Sequence, residues 1–477
     1  MSRPESTSSL RVCVVGAGLS GTLMALLLSQ LEGAEVHLFE KRGDAAADSS
    51  SSAAFGASTA TLKRSINLAL SYRGSLGLQA LDDPSIYAAC MKEAIRMPCR
   101  VIHNINGTIL KQPYGQEKDA IWSISRQKLN LILIENAKKK RNIQLYFGYT
   151  LQDCSKEGVV TFLCNQNELM TASYDLVIGA DGAYSITREC MLKQSRINFS
   201  RQYIQHGYKE LSIPPNSMNE YALPEYQGLH IWPRGEMMLI ALPNADKSFT
   251  ATLFAPYHGT DGFDQIHADD SEAVQAYFRQ HFPDVVKYMP HLLEDYKANP
   301  VGSLVTIRVS PWNLGKVVLI GDAAHAVVPF YGQGMNCGFE DCYRLYKVLQ
   351  QHTKDSIEPL LAHFSEDRSV ATDTLADLCL KHHHDMAANT MSSWYLLQKR
   401  VEKFLHWLLP STFLPLYTMV TFTAIPYHKA VERARCQDRA IAMFTKATVA
   451  LLASSAAYLF YLRGGASHLP LFNRIRS

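Results

Sequence analysis

The most constraining feature of the sequence lies in its first 40 residues, where two apolar runs flank a glycine turn and a helical segment. Val12 to Val15 form a predicted strand, Gly16 to Gly21 read Gly-Ala-Gly-Leu-Ser-Gly, and Thr22 to Leu31 are predicted to be helical. The next predicted strand, Val36 to Phe39, ends at Glu40. This order and spacing are typical of a unit that binds a dinucleotide, so we expect a Rossmann-like domain.

Each position in this turn has a physical role in such a unit. Gly16 allows the tight turn, Gly18 lets the backbone approach a pyrophosphate, and Gly21 lets the helix pack closely on the strand. Leu19 lies in the same turn, and the N-terminus of the helix predicted from Thr22 then faces the phosphates. Glu40 is placed to accept a hydrogen bond from a ribose hydroxyl. These five residues are the predicted cofactor site of the N-terminal segment.

Two later apolar runs end in an acid beside glycine. Tyr174 to Gly182, "YDLVIGADG", is a predicted buried strand that ends at Asp181, and Val317 to Ile320 is another, followed by Gly321 and Asp322. Ligands of open α/β sheets bind at the carboxyl ends of the strands. We therefore expect Asp181 and Asp322 to contact the same cofactor.

The stretch after Asp322 is poor in the large side chains that a core helix would carry. It reads "GDAAHAVVPFYGQGMNCGFEDC" from Gly321 to Cys342. Its glycines leave room for a flat ligand against the main chain, and peptide N–H groups that open the next helix favour an electron-rich ring edge. The predicted contacts from this loop are Gly332, Gln333, Gly334, Met335 and Asn336.

Composition excludes several classes of function. The chain has 477 residues, 47% of them hydrophobic, which suffices for two packed domains. A formal net charge of +3 argues against nucleic acid as the main partner. The ten cysteines form no CxxC pair and no metal-ligand spacing, so we expect reduced, mostly buried thiols and no metal site.

The pattern of apolar and polar residues changes along the chain. Alternating, aromatic segments that predict antiparallel strands occupy the middle, and helical patterns dominate after about residue 353. The predicted fold is a discontinuous α/β nucleotide-binding domain, an inserted and mostly antiparallel β-sheet substrate domain, and a helical C-terminal region. The predicted ranges are 1–198 with a low-complexity link at 43–61, 199–301 for the inserted sheet, 302–352 for the return segment, 353–439 for the helical region and 440–462 for a membrane anchor.

The membrane prediction depends on the apolar run from Ala440 to Leu462, which only Lys446 interrupts. A lysine near one end can extend its amine to the membrane surface, so this run could span a bilayer as a tail anchor. The alternative is an amphipathic or core helix. A second uncharged run, Phe404 to Tyr427, contains three prolines, and we expect broken helical segments there.

The three strand ends together resemble those of the FAD-dependent aromatic hydroxylases, the group A flavoprotein monooxygenases. Arg126 in "SISRQKLN" matches the arginine that this family places near the sugar-phosphate chain of the flavin. Longer segments are similar to the kynurenine-hydroxylating members, and the similarity covers nearly the whole chain except 43–61 and the extreme C-terminus. These segments are "RSINLALSYRG" (64–74), "QYIQHGYKELSIPP" (202–215), "LHIWPRGEMMLIALPN" (229–244) and "PSTFLPLYTMVTF" (410–422).

The resemblance implies the hydroxylation of L-kynurenine to 3-hydroxykynurenine, a step of tryptophan degradation, with FAD, NADPH and O₂. Oxygen would be delivered by a C4a-hydroperoxide of the flavin, without a catalytic side chain. The resemblance implies that NADPH binds transiently without its own Rossmann domain, and the sequence, which has no second nucleotide motif, agrees with this. It also implies a mitochondrial outer-membrane location with the active domain facing the cytosol. Two alternatives stay open, namely a flavoprotein monooxygenase that acts on a lipid or another aromatic compound, and a non-catalytic binding protein of the same fold.

The resemblance also implies a set of substrate contacts. Arg100 and Tyr114 match the family positions that hold the substrate carboxylate, and Tyr417 matches a further contact from the helical region. His382 stands where the family carries an asparagine. The apolar wall around the substrate ring would comprise Leu229, Met238, Ile240, Phe254 and Phe330.

Overall fold

The computed structural model describes residues 10–44, 67–351, 357–388, 405, 408, 409 and 412–462, and the side chains of 382–388 lie outside this description. Most of the predicted link at 43–61 also lies outside it.

A six-stranded sheet forms the centre of the nucleotide-binding part, and five of its strands are parallel. The sixth strand, at one edge, pairs antiparallel with its neighbour. In spatial order the strands are β18 (Asn313–Leu314), β19 (Val317–Leu319), β12 (Leu176–Gly179), β1 (Leu10–Val15), β2 (Ala34–Glu40) and β8 (Ile143–Phe147). The strands predicted at the glycine turn, before Asp181 and before Asp322 are confirmed, and their carboxyl ends meet at one edge of the sheet.

A seven-stranded sheet lies beside it. In spatial order its strands are β17 (Gly302–Ser310), β13 (Asn198–Ile213), β16 (Phe249–Pro256), β15 (Met237–Pro243), β14 (Gly228–Arg234), β5 (Cys99–His103) and β6 (Ile109–Pro113). The pairing is antiparallel except between β14 and β5. Three of these strands lie outside the inserted segment predicted at 199–301. The strands β5 and β6 precede this segment in the sequence, and β17 follows it.

Two three-stranded sheets complete the β structure. One consists of β3 (Asn67–Leu70), β7 (Ile121–Ser125) and β4 (Ile95–Met97), and the other of β11 (Leu169–Ser173), β10 (Val159–Cys164) and β9 (Tyr149–Cys154).

Thirteen α-helices occupy the described residues. They are α1 (Leu19–Leu28), α2 (Tyr72–Gln79), α3 (Pro84–Glu93), α4 (Arg126–Lys139), α5 (Ile186–Gln194), α6 (Ser271–His281), α7 (Pro283–Val286), α8 (Leu292–Ala298), α9 (Asp322–His325), α10 (Gly334–Leu349), α11 (Ile357–Ala388), α12 (Leu416–Phe422) and α13 (Tyr427–Leu462). The prediction of a first helix at Thr22–Leu31 is wrong by three residues at each end. Because Gly18 is the N-cap, the third glycine of the motif lies inside the first helical turn.

The C-terminal helices pack against the loop that follows β19. A buried cluster there combines Val328 and Cys337 with Leu375 of α11 and Met419 of α12. The helix α12 is short, as expected for a segment with a proline before it and another after it. This packing brings the C-terminal region to the edge of the sheet at which the predicted cofactor residues meet.

The last helix, α13, runs without a break through the predicted anchor. Tyr427 and Ala430 at its start are buried against the protein. The most apolar window of the helix has a mean hydropathy of 1.5, and none of it is buried. By length and composition α13 could therefore cross a membrane.

Candidate active site

A cavity of about 440 Å³ opens between the parallel sheet and the seven-stranded sheet. Its walls come from the loop after β1, the loop after β12, the segment from Ile320 to Met335, six strands of the larger sheet, and α12. The cavity is thus the place where the predicted cofactor segments and the predicted substrate segments meet.

The glycine turn has the shape that its spacing predicted. Gly16 has a φ of +101°, and a Cβ atom there would lie 2.6 Å from the carbonyl oxygen of Ala180. A Cβ atom on Gly21 would lie 1.9 Å from the carbonyl oxygen of Gly16. Gly18 lines the cavity, and a Cβ atom there would meet no described atom within 4 Å. Gly16 and Gly21 therefore serve close packing of backbone, whereas Gly18 borders open space.

Two helices direct their N-termini at the cavity. The helix α1 begins after Gly18, and α10 begins after Gln333, and no side chain in the described part of the protein caps either one. Uncapped N–H groups at a helix start form a binding site for anionic or electron-rich groups. The side chain of Gln333 is buried, and its Oε1 atom has no hydrogen-bond partner among the described residues. These observations fit a ligand such as FAD, which carries both a pyrophosphate and a polar ring edge.

Two predicted acids use their carboxylates differently from expectation. Glu40 accepts hydrogen bonds from the backbone N–H of Ala17 at 2.9 Å and of Arg42 at 3.0 Å, so it holds the glycine turn. Asp181 accepts from the backbone and hydroxyl of Thr187 and from the hydroxyl of Ser185. Neither side chain lines the cavity. Asp181 stabilises the start of α5, while its neighbours Ala180 and Gly182 border the cavity.

Asn336 also supports the site from outside the cavity. Its Nδ2 atom donates to the carbonyl oxygens of Ala69 and Gly332, both at 2.8 Å, and its Oδ1 atom accepts from the backbone N–H of Ser71. These contacts attach the glycine loop to β3 and the start of α2. Six other predicted cofactor residues do line the cavity, in addition to Gly18 and Leu19: Arg126, Asp322, Gly332, Gln333, Gly334 and Met335.

One face of the seven-stranded sheet forms the apolar wall. Side chains alternate along a strand, so residues two apart point to the same face. Across the sheet Ile231 pairs with Ile240, and Met238 pairs with Phe254. The cavity-lining residues of this face are Leu229, Ile231, Met238, Ile240, Leu242, Thr250, Thr252 and Phe254.

Aromatic rings and one guanidinium complete the substrate side. The Phe330 ring lies 5.3 Å from the Phe254 ring. Arg100 lines the cavity from β5, with its Cζ atom 4.4 Å from the ring centroid of Tyr417 and 5.5 Å from that of Tyr114. The Nε atom of Arg100 is buried without a hydrogen-bond partner, and no carboxylate among the described residues pairs with this guanidinium. Arg100 therefore offers a positive charge to the cavity.

Tyr114 stands behind Arg100 and is not among the residues that line the cavity. Its ring stacks on Tyr417 with centroids 5.6 Å apart, and its buried hydroxyl has no hydrogen-bond partner in the described structure. Burial raises the pKa of this hydroxyl, so it stays protonated at neutral pH and can donate. The side chain of His382 lies outside the described residues.

Several lining residues escaped the sequence prediction, although a signal for most of them was present. Ile231 and Leu242 lie two positions from predicted wall residues, and Thr252 lies two before Phe254, so strand alternation alone points to them. Thr421 lies one helical turn after Tyr417 on α12. Its buried Oγ1 atom has no partner among the described residues and faces the same cavity.

Comparisons with known proteins agree with this geometry. Residues 9–378 match the model of the FAD binding domain family, so the class of protein that the fold and cavity define is a FAD-binding flavoprotein. The chain is 38% identical over 454 residues to kynurenine 3-monooxygenase of Sus scrofa, with 94% of this chain and 91% of the relative covered. It is 40% identical over 453 residues to kynurenine 3-monooxygenase of Salinispora tropica, with 94% and 96% covered. The chain belongs to the kynurenine 3-monooxygenase family.

Solved structures of similar fold are more distant in sequence. The tetrameric form of 2-methyl-3-hydroxypyridine-5-carboxylic acid oxygenase superimposes with a TM-score of 0.61 at 21% identity, covering 80% of this chain and 94% of that one. HpxO of Klebsiella pneumoniae, complexed with FAD and uric acid, superimposes with a TM-score of 0.61 at 18% identity, covering 84% and 94%. These likenesses support the fold.

Proposed function

We propose that the chain hydroxylates L-kynurenine at ring position 3, with FAD as cofactor, NADPH as reductant and O₂ as oxidant. The observation that carries this substrate is Arg100, a guanidinium without a carboxylate partner among the described residues, in a cavity that aromatic and aliphatic side chains otherwise line. L-Kynurenine has an amino-acid end and an aniline ring. The charge and the apolar wall therefore match its two ends.

The side chains have distinct roles in the proposed reaction. Arg100 holds the substrate carboxylate, because a guanidinium is a suitable donor to that group. Tyr114, behind Arg100, remains a predicted second donor to the same carboxylate. Tyr417 borders the guanidinium and limits where the carboxylate can lie. The wall of the seven-stranded sheet and Phe330 hold the ring against the glycine loop at Gly332. His382 remains a predicted contact to the amino-acid end.

FAD, when bound, supplies the redox chemistry that accepts electrons from NADPH and activates O₂. The chain's contribution is positional. The backbone of Gly18 and the uncapped starts of α1 and α10 would hold its phosphates and ring edge, and Asp322 and Arg126 would contact its polar chain. The apolar wall keeps water away from the reacting ring.

The direct test is NADPH consumption by the purified, FAD-containing protein with and without L-kynurenine, with the product identified by mass. We expect stimulated consumption and a product heavier by one oxygen atom. A flavoprotein that consumes NADPH equally with and without L-kynurenine, and forms no such product, contradicts the proposed substrate. Substrates with the ring but no amino-acid end, such as 2-aminoacetophenone, are the matched controls, and they should give little product because they leave Arg100 unpaired.

We further propose that the described fold comprises a discontinuous FAD domain with an inserted substrate sheet, and that α13 is a tail anchor in the mitochondrial outer membrane. The support for the anchor is the apolar, exposed C-terminal part of α13, which follows three arginines of the same helix at 433, 435 and 439. The active domain would face the cytosol. Protein truncated before Ala440 should leave the membrane fraction, and its retention there would place the membrane contact upstream, within Phe404 to Tyr427.

A further inference from the structure

Arg73 is a fully buried arginine that does not line the cavity. It is the second residue of α2, and its Nη1 atom lies 3.1 Å from each carboxylate oxygen of Glu340 on α10. Its Cζ atom lies 4.1 Å from the ring centroid of Tyr427, at the start of α13. One side chain thus contacts both the helix that follows the glycine loop and the C-terminal helices.

The remaining donors of Arg73 point to the end of α12. Its Nε atom donates to the carbonyl oxygen of Val420 at 2.7 Å, and its Nη2 atom donates to the carbonyl oxygens of Met419 and Ile425. The last carbonyl groups of a helix have no partner within the helix, and a cation there also interacts favourably with the helix dipole. Arg73 therefore caps α12 at its C-terminal end.

A helix as short as α12 depends on such contacts. It has seven residues, and no described side chain caps its N-terminus. Isolated helices of this length are not stable in water, so tertiary contacts must hold it. The same helix carries Tyr417 and Thr421, both of which line the cavity.

We propose that Arg73 is a positioning residue for the substrate side of the active site. Its guanidinium connects the end of α12 to Glu340 and so sets the position of Tyr417 relative to the glycine loop and Arg100. The identity of the substrate in this inference rests on the proposed function, whereas the connection that Arg73 makes between α12 and Glu340 does not.

The planar guanidinium is required because it meets one carboxylate and three carbonyl groups at once. A lysine keeps the charge but offers a single ammonium, which cannot reproduce that fork. Arg73→Lys is therefore the informative variant. Arg234→Lys is the matched control, because Arg234 is also buried and also contacts one carboxylate, Asp284, and three carbonyl oxygens. Arg234 does not line the cavity or contact α12.

The first measurement is amide hydrogen exchange of the FAD-containing protein without substrate. In Arg73→Lys the backbone amides of 416–422 should be protected from exchange about tenfold less than in the parent. The reason is that α12 could then open by itself, without unfolding of the rest of the protein. In Arg234→Lys these amides should match the parent. The second measurement is steady-state kinetics, where Arg73→Lys should raise KM for L-kynurenine about tenfold and release more H₂O₂ per NADPH, since a displacement of about 1 Å near the reacting groups is costly. FAD content should stay at the parent level.

The inference is overturned if Arg73→Lys matches Arg234→Lys in both measurements. If Arg73→Lys does not yield folded protein, Glu340→Asp provides the second variant, because it keeps both charges and withdraws the carboxylate by one methylene. Parent-like exchange at 416–422 in that variant would likewise overturn the inference. A parent protein that forms no hydroxylated product would contradict the proposed substrate alone, while the exchange data would still decide the role of Arg73.

Discussion

The two sides of the cavity are built in different ways. The cofactor side consists mainly of backbone, with Gly18, the loop at Gly332–Met335 and two uncapped helix starts within short stretches of sequence. The substrate side consists of side chains, and Tyr417, which contacts Arg100 and Tyr114, comes from a segment that lies 303 positions after Tyr114 in the sequence. A site made of backbone constrains which positions must be glycine, whereas a site made of side chains constrains which distant segments must pack together.

This difference predicts which properties of the protein a substitution on each side should affect. A change at a closely packed glycine of the cofactor side alters the backbone path and should affect the fold as well as FAD. A change on the substrate side removes a group from a scaffold that stays in place and should affect substrate alone. Four experiments, from the largest expected effect to the smallest, test this division.

The largest effect should come from Gly21→Ala compared with Gly18→Ala. The first variant places a methyl group against the carbonyl of Gly16, so we expect a loss of about 4 kcal/mol or more in stability, and of FAD as well. The second meets no described atom, so the apoprotein should unfold like the parent while its affinity for FAD falls. Urea unfolding of the apoproteins and FAD titration measure both. Equal stability of the two apoproteins would show that the glycine turn is not under packing constraint.

Arg100→Ala should have the next largest effect, confined to the substrate. Removing the charged partner of a buried carboxylate costs about 3 kcal/mol, so KM for L-kynurenine should rise about a hundredfold. FAD content and the urea midpoint should stay near the parent values. An unchanged KM would place the carboxylate partner elsewhere.

Acid should weaken the substrate sheet before the cofactor side. His103 and His230 form a buried pair in that sheet, 2.9 Å apart between ring nitrogens, and burial lowers their pKa values to about 4 and about 3. Histidines of the unfolded chain take up protons near pH 6.5, so the folded state should lose about 2 kcal/mol, about 1 kcal/mol from each histidine, as the pH falls from 7.5 to about 5.8. On the cofactor side, the neighbouring Arg368 and His325 overcome the effect of burial and hold the pKa values of Glu340 and Asp341 low, so their contribution persists until the pH is below about 4.

The readout for this pH effect is local. Trp232 stacks on His103 with ring centroids 4.2 Å apart. The chain has five tryptophans, so the part of the fluorescence that Trp232→Phe removes is the signal that reports on this sheet during urea unfolding at each pH. The variant His103→Gln should flatten the pH dependence. If parent and variant lose stability in parallel between pH 7.5 and 5, the pair is not the cause.

The smallest effect should come from Tyr417→Phe. The ring that borders Arg100 stays, so the fold and FAD content should match the parent. Loss of a hydroxyl contact to the substrate costs about 1 kcal/mol, which is about a fivefold rise in KM. Thr421→Val, on the same helix, is the companion variant, and identical kinetics of parent and both variants would show that α12 contributes shape alone.

The sequence by itself determined the cofactor side of this protein. A glycine turn is a local object, because its strand, its turn and its helix lie within about 30 residues and their roles follow from sterics alone. The strand ends before Asp181 and Asp322 were predictable for the same reason. The family resemblance extended this reading to Arg100 and the apolar wall, most of whose missing members follow from strand alternation.

Only the tertiary structure decided which partners the side chains of these segments contact. Glu40 and Asp181 lie at the predicted strand ends, but their carboxylates accept hydrogen bonds from nearby backbone N–H groups and, for Asp181, from two hydroxyl groups as well. The parallel pairing of β5 with β14 brings Arg100 beside Leu229, although 129 positions separate them in the chain. Arg73 meets α12 across a still longer separation. Long-range pairings of this kind depend on which packed arrangement buries the most apolar surface with its polar groups satisfied, and no local pattern in a single sequence encodes that choice.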